Sequence, residues 1–334
     1  MRRESGDWGV VAPCSIRLPT LQSSLLAPHS PLYPSPMPPI PTPRASGFTK
    51  TTPVPLYWVA YGREGAPRLL VLHGGPGAHH DYLLPQMLAL AEKYELIFYD
   101  QRGGGQSKTE DRSPITWETH VADLGLVARE LGGDPLSLVG YSWGGLLALL
   151  YTVEAFERGA DVGPAPVRLV LIDPAPVTRE FRARFEASFS ERQAGASVQR
   201  LREELAQSGL RERDPEAYRQ RAFELSVAGY FADPARAHDL TPFRVIGRVQ
   251  QQVWESLGDF DLLQRVEQVE IPVLILHGRH DPIPLEASEA LARALPDARL
   301  VVLEHSGHVP YVEEPDRLFK EIERFLEEAA VQAR

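Results

Sequence analysis

Short apolar runs recur along the chain from residue 56 onward, and longer stretches with helical periodicity separate several of them. Most runs end in Gly, Pro or Asp, and several are apolar throughout, as buried parallel strands are. This alternation predicts an α/β fold with a mostly parallel, doubly wound sheet. The predicted strands are residues 56–61, 69–72, 96–99, 136–139, 167–172, 273–276 and 300–303, and the predicted helices are residues 117–131 and 144–157.

Two segments depart from this pattern. Between Pro28 and Pro43 every second or third residue is proline, which favours an extended conformation without sheet pairing. Residues 1–45 therefore predict a disordered leader, with an SH3-type ligand as the alternative. Residues 176–262 carry little strand signal and contain two Asp-Pro helix starts, at Asp214 and Asp233. We predict a core over residues 46–175 and 263–334, and a helical lid over 176–262 above the carboxyl ends of the strands.

Composition excludes several classes of protein. Lys and Arg total 35 against 45 Asp and Glu, and a net charge of −10 would repel a phosphate backbone. One cysteine, Cys14, cannot form an internal disulfide, and no His/Cys cluster has zinc spacing. No stretch approaches the ~20 apolar residues of a membrane span. We expect a cytoplasmic protein with no nucleic-acid or membrane partner and no metal or organic cofactor, and the oligomeric state stays open.

A candidate nucleophile stands between a predicted strand and a predicted helix. Residues 140–144 read G-Y-S-W-G, which matches G-x-S-x-G. In this context a sharp turn exposes the serine, and the small residues on either side let strand and helix approach. The alternative is a glycine-rich turn with an ordinary serine. We predict Ser142 as the nucleophile.

A serine hydroxyl needs a base within hydrogen-bond reach and a third group that orients the base. Asp281 follows the predicted strand at 273–276, and His308 follows the last predicted strand. We predict Asp281 as the orienting carboxylate and His308 as the base. Asp173 is the alternative acid, and His305 is the alternative base.

A glycine-rich loop, H-G-G-P-G at residues 73–77, follows the strand at 69–72. Such a loop can direct backbone N–H groups at a developing oxyanion. The predicted donors are the amides of Gly75 and of Trp143, the residue after the candidate nucleophile. A phosphate-binding loop is the alternative, but no Gly-Lys-Ser/Thr follows.

Residues 73–77, D-Q-R-G-G-G-Q-S at residues 100–107 and G-Y-S-W-G-G at residues 140–145 together resemble the proline iminopeptidase group of the α/β-hydrolase superfamily. The likeness covers residues 55–175 and 265–325. It implies an α/β-hydrolase fold and an aminopeptidase that releases an N-terminal residue through a Ser-His-Asp triad and an acyl-enzyme. It also implies that residues 100–107 form a structural loop beside the site.

The lids of that family present carboxylates to the free amine of the substrate, and the candidates here are Glu224, Glu255 and Asp259. A solvated helical surface is the alternative interpretation of these residues. Two other functions stay open. One is an esterase, lactonase or amide hydrolase acting on a substrate without a free amine, and the other is a binding module that lost the chemistry.

Overall fold

A single sheet of eight strands forms the centre of the fold. The computed structural model describes residues 39–332, with side chains described to residue 328. The strands are β1 (Ala45–Phe48), β2 (Tyr57–Tyr61), β3 (Arg68–Leu72), β4 (Glu95–Tyr99), β5 (Ser137–Tyr141), β6 (Arg168–Ile172), β7 (Val273–Gly278) and β8 (Ala298–Leu303). Their order across the sheet is β1-β2-β4-β3-β5-β6-β7-β8. β2 pairs antiparallel with both β1 and β4, and all the other neighbouring strands pair in parallel.

The predicted α/β fold and mostly parallel sheet are confirmed. The seven predicted strands are present within a few residues of their expected bounds. β1 was not predicted, because its four residues alternate between partly buried and exposed at the sheet edge and form no apolar run. It begins at Ala45, within the predicted leader. Residues 1–38 of that leader lie outside the described residues.

Helices cover both faces of the sheet. The described residues form the helices α1 (Trp117–Leu131), α2 (Trp143–Arg158), α3 (Arg179–Ala194), α4 (Ala196–Gln207), α5 (Leu210–Arg213), α6 (Pro215–Val227), α7 (Gly247–Ser256), α8 (Leu285–Ala294), α9 (Pro310–Glu313) and α10 (Pro315–Gln332). Short 3-10 helices lie at His80–Leu83, Gln86–Glu92, Gly159–Asp161, Ala228–Tyr230, Pro234–Asp239 and Arg265–Gln268. None of the described helices combines the length and apolar content that a membrane crossing requires.

Alternate side chains of each central strand enter two separate apolar cores, as the pleat of a strand requires. In β3, Leu70 and Leu72 belong to the core that also contains residues of α1, α2 and α8, whereas Leu69 and Val71 belong to the core that contains residues of α10. All five residues of β5 are buried. The uninterrupted apolar runs of the sequence therefore correspond to strands covered on both faces.

Helices α3 to α7 lie between β6 and β7 in the chain. Asp214 caps α6 by accepting from the amide of Ala217 over 3.0 Å, and Asp233 caps the 3-10 helix Pro234–Asp239. This helical segment contacts two loops at the carboxyl ends of the strands. Ile246 donates its N–H to the carbonyl oxygen of Gly77, after β3, over 3.0 Å. Tyr230 accepts the N–H of His308, after β8, over 2.7 Å.

Candidate active site

The turn between β5 and α2 holds Ser142 in a backbone conformation that few residues adopt. Its φ is 53° and its ψ is −119°, unlike the strand before it or the helix after it. A Cβ on Gly140 would lie 2.4 Å from the carbonyl oxygen of Gly144, and one on Gly144 would lie 2.2 Å from that of Leu72. Only glycine fits at both positions, so the motif sets the close approach of strand and helix and places Ser142 at the carboxyl end of the sheet.

Three side chains predicted from the sequence meet at this edge of the sheet. His308 Nε2 lies 2.9 Å from Ser142 Oγ, and His308 Nδ1 lies 2.8 Å from Asp281 Oδ2. Because a carboxylate only accepts hydrogen bonds, Nδ1 carries the ring proton and Nε2 accepts from the serine hydroxyl. The other oxygen of Asp281 accepts from the amide of Ile283 over 2.7 Å. These hydrogen bonds allow a proton to move from the serine hydroxyl to the ring of His308 while the carboxylate of Asp281 fixes the tautomer.

The loops that carry Asp281 and His308 follow β7 and β8, which are neighbours in the sheet. They pack tightly, since a Cβ on Gly278 would lie 2.0 Å from the carbonyl oxygen of Gly307. His305, the alternative base, is exposed at the surface, whereas His308 is buried beside the serine. The structure therefore brings His308, and not His305, to Ser142.

The glycine-rich loop after β3 lies against Ser142. A Cβ on Gly74 would lie 2.8 Å from Ser142 Cβ. The N–H of Gly74 donates to Tyr82 Oη over 2.7 Å, so Gly75, with a φ of +60°, is the next amide of the loop that can serve an oxyanion. Trp143 begins α2, where a helix leaves its amides without intrahelical acceptors. Gly75 follows Gly74, which lies against Ser142, and Trp143 directly follows Ser142. The role of these two amides as oxyanion donors stays a prediction.

Comparison with known proteins decides the family. A model of the alpha/beta hydrolase family matches residues 69–321. This chain belongs to the alpha/beta hydrolase family. The hydrolase is 27% identical over 301 residues to a proline iminopeptidase of Saccharolobus solfataricus, covering 84% of this chain and 92% of that protein.

Solved structures show the same fold as the hydrolase. A proline iminopeptidase of Mycobacterium smegmatis aligns with a TM-score of 0.62 and 22% identity over 87% of this chain and 100% of that chain. An esterase from Exiguobacterium antarcticum aligns with a TM-score of 0.61 and 21% identity over 85% of this chain and 100% of that one. The resemblance to proline iminopeptidases is confirmed, and both structural alignments show the alpha/beta hydrolase fold.

In the hydrolase, Gln101 connects the two loops that carry the candidate oxyanion donors. Its side-chain amide donates to the carbonyl oxygen of His73 over 2.8 Å, and its side-chain oxygen accepts from the indole N–H of Trp143 over 2.8 Å. Its backbone N–H donates to His73 Nε2 over 3.1 Å, so His73 Nδ1 carries the proton and donates to the carbonyl oxygen of Gly74 over 2.8 Å. The sequence predicts a structural loop here but does not identify Gln101, because both partners are distant along the chain.

Replacing Gln101 by Met keeps the length of the side chain and removes both side-chain hydrogen bonds. We expect kcat/KM to fall about 10- to 100-fold, because two buried partners, the His73 carbonyl and the Trp143 indole, lose their hydrogen bonds and the loops become free to shift. Gln106→Met is the matched control, since Gln106 is exposed in the same loop. Equal activity of the two variants would remove Gln101 from the support of the site.

The helical segment between β6 and β7, the predicted lid, is joined to the loop of the candidate base. His308 donates its backbone N–H to the carbonyl oxygen of Tyr230 over 2.7 Å, and the two rings lie 5.0 Å apart. The carboxylate of Glu313 accepts from the amides of Gly307, over 2.7 Å, and Ala232, over 2.9 Å. Sequence reasoning missed Tyr230 and Glu313, because no local pattern predicts which lid residue packs on the loop after β8.

The three lid carboxylates predicted to bind substrate lie in different surroundings. Glu224 on α6 is 2% exposed and is paired with Arg221. Glu255 is exposed and accepts from Gln251 over 2.8 Å. The side chain of Asp259 is 86% exposed. Within residues 39–332 these three side chains share no hydrogen-bond partner, and their substrate-binding role stays a prediction.

One buried cluster has the composition of a metal site. Ligand atoms of Asp173, His277 and Asp281 all lie within 4.8 Å of one another. Both ring nitrogens of His277 are already hydrogen-bonded, Nε2 to the carbonyl oxygen of Ile283 over 3.1 Å and Nδ1 to Ser288 Oγ over 2.8 Å. Since a metal ligand needs a free nitrogen lone pair, this arrangement does not fit a metal, and the expectation of cofactor-free chemistry stays a prediction.

Burial sets the protonation of the candidate base. Desolvation disfavours the imidazolium and lowers the pKa of His308 below its ordinary 6.5, while the nearby carboxylate of Glu313 opposes that shift. At pH 7 the ring is therefore neutral and able to accept a proton.

We expect kcat/KM for an ester without titratable groups to be at its maximum at pH 7 and to stay at that maximum in mildly acidic solution. Activity should be lost only as the pH falls through the lowered pKa of His308, because protonation removes the acceptor at Nε2. A pH–rate profile measures this limb. An acid limb centred above 6.5 would contradict the inferred protonation of His308.

Proposed function

We propose that this hydrolase is a serine aminopeptidase that releases an N-terminal residue, with proline as the expected residue. The observation that carries the chemistry is the unbroken hydrogen-bond chain from Ser142 through His308 to Asp281. The proposal that the substrate is a peptide with a free amine is supported by the names of relatives that align over most of this chain, such as the proline iminopeptidase of S. solfataricus.

In the proposed reaction, Ser142 Oγ attacks the carbonyl carbon of the scissile bond as its proton passes to His308 Nε2. The amides of Gly75 and Trp143 donate to the oxyanion that forms, and each such donor contributes about 3 kcal/mol to transition-state stabilisation. His308 then gives the proton to the departing amine, which leaves an ester on Ser142. His308 next takes a proton from water, whose oxygen attacks the carbonyl carbon of that ester. The bond to Ser142 Oγ then breaks, and His308 returns the proton to this oxygen as the carboxylic acid product leaves. Asp281 holds the ring of His308 throughout.

Amine recognition would involve the lid, and the packing links α6 to the site. Phe223, the neighbour of Glu224, packs on Phe243 with ring centroids 5.5 Å apart. Phe243 in turn lies 4.4 Å from Tyr82, whose hydroxyl binds the amide of Gly74. Among the three candidate carboxylates, Glu224 is the buried one, and a buried carboxylate binds an ammonium more strongly than an exposed one. Glu224 is therefore the first candidate for the amine.

The alternative is an esterase, lactonase or amide hydrolase that uses the same three residues. A specific observation favours it. Glu224 already has a cationic partner in Arg221, and exposure of Glu255 and Asp259 weakens any charge interaction through solvent. Under this alternative no lid carboxylate is needed for a free amine.

A matched set of substrates separates the two functions. We would compare proline p-nitroanilide, its N-acetylated form and a short acyl ester on the wild type and on Glu224→Gln, Glu255→Gln and Asp259→Asn. For an aminopeptidase, kcat/KM for the free amine should exceed that for the acetylated amide, and at least one variant should lose about 10-fold or more on the free amine alone. Glu216→Gln, an exposed position on α6, is the control. Equal effects on all substrates would exclude the aminopeptidase and leave the other hydrolase functions.

A further inference from the structure

A second carboxyl group lies beside Asp281 and has no part in the chemistry described above. Asp173 directly follows β6, and its side chain is fully buried. Its φ is 41°, and within residues 39–332 only Ser142 is another non-glycine residue with a positive φ. These two residues follow neighbouring strands, so the fold holds two strained positions side by side at the candidate site.

The surroundings of Asp173 contain no cation that could balance its charge. Asp173 Oδ1 accepts from the amide of Gly278 over 2.8 Å and lies 3.9 Å from Nδ1 of His277. Burial lowers the pKa of His277 to about 4, so its ring is neutral at pH 7, and both ring nitrogens are hydrogen-bonded, to Ile283 and Ser288. His308 is neutral as well, because burial lowers its pKa below 6.5. No Lys or Arg in the described part of the chain forms an ion pair with Asp173.

Asp173 and Asp281 therefore cannot both be ionised. Their carboxyl oxygens come within 4.8 Å in a site that excludes water, where two like charges repel strongly. The hydrogen bonds show which one keeps the charge. Both oxygens of Asp281 accept from a donor, His308 Nδ1–H on one and Ile283 N–H on the other.

Asp173 accepts fewer hydrogen bonds than Asp281 does. Only Oδ1 accepts, and Oδ2 is buried without a partner in the described structure. A proton on Oδ2 removes the second charge and turns an unsatisfied acceptor into a donor. Burial and the negative charge of Asp281 both raise the pKa of Asp173 well above its ordinary value.

We infer that Asp173 is a positioning residue whose protonated carboxyl group donates a hydrogen bond from Oδ2 to Asp281. The bond holds Asp281 in its ionised form and in line with His308 Nδ1. It also links the acid to the nucleophile turn, because Ala175, two residues after Asp173, donates its N–H to the carbonyl oxygen of Ser142 over 2.9 Å. The inference rests on the proposed role of Ser142, His308 and Asp281.

Substitutions that keep or remove the donor test this inference. Asn at position 173 can still accept from Gly278 and donate an N–H toward Asp281, whereas Leu can do neither. The readout is the second-order rate of labelling of Ser142 by a fluorophosphonate, which requires no knowledge of the natural substrate. We expect Asp173→Asn to label at nearly the wild-type rate and Asp173→Leu to label about 10- to 100-fold more slowly. Asp281→Asn should lose at least as much as Asp173→Leu.

Two outcomes would overturn the inference. One is an Asp173→Asn variant as impaired as Asp281→Asn, which would make Asp173 an ionised member of the site. The other is an infrared difference spectrum of wild type against Asp173→Asn at pH 7 without the carbonyl stretch of a protonated carboxylic acid. The spectrum decides the question even if Asp173→Leu does not fold. Absence of Ser142 labelling in the wild type would instead contradict the proposed function.

Discussion

Replacing Ser142 by alanine should lower kcat by about 10⁴- to 10⁶-fold and leave the protein folded. The change removes the oxygen to which the acyl group would be attached, and neither His308 nor Asp281 can replace it. Loss of one oxygen opens little space, so the melting temperature should move by no more than a few degrees. Steady-state kinetics and a thermal melt of the same preparation measure both quantities.

Ser137→Ala is the matched control for this variant. Ser137 is buried and is the first residue of β5, at the end of the strand opposite to the turn that holds Ser142. It should keep nearly full turnover, because the site does not use it. Retention of substantial turnover by Ser142→Ala, or an equal loss in both variants, would reject Ser142 as the nucleophile.

Replacing His308 by alanine should have the second large effect, a loss of about 10⁴-fold or more in kcat. The serine hydroxyl is then left without an acceptor for its proton, and Asp281 loses the ring that it orients. Labelling by a fluorophosphonate should slow in parallel, since it requires the same activated oxygen.

His305→Ala is the control for His308, because His305 lies three residues earlier in the same loop and is exposed. Its removal should leave kcat within a few-fold of wild type. A large loss in His305→Ala together with a small one in His308→Ala would assign the base to the other ring.

The nucleophile turn could be predicted from the sequence because its geometry is set locally. Gly140 and Gly144 flank Ser142 within five residues. The space that Gly140 leaves is filled by the backbone of Gly144 itself, and the space that Gly144 leaves is filled by the backbone of Leu72, at the end of the neighbouring strand β3. Asp281 and His308 were also predictable, because each follows a clear apolar run, and the carboxyl ends of parallel strands meet at one edge of the sheet.

Other parts of the site depend on contacts between segments far apart in the chain. Tyr230 contacts His308 only because the helical segment between β6 and β7 packs on the loop after β8. The hydrogen-bond partners of Gln101 lie in other segments of the chain, so the sequence around Gln101 does not predict them. Asp173 was the alternative acid in the sequence. Asp173 lies beside Asp281 because β6 and β7 are neighbours in the sheet. Asp281, and not Asp173, forms the hydrogen bond to the ring of His308. Strand β1 was not predicted, because a four-residue strand at the edge of the sheet is only partly buried and its sequence contains no apolar run.

The most direct test of the account is to identify the residue that a fluorophosphonate modifies. The protein would be labelled at neutral pH, digested and analysed by mass spectrometry, with Ser142→Ala and His308→Ala treated in parallel. The account predicts one modified peptide, with the label on Ser142, no label in Ser142→Ala and strongly slowed labelling in His308→Ala. Labelling of another residue in the wild type, or persistent labelling of Ser142→Ala at the same rate, would contradict it.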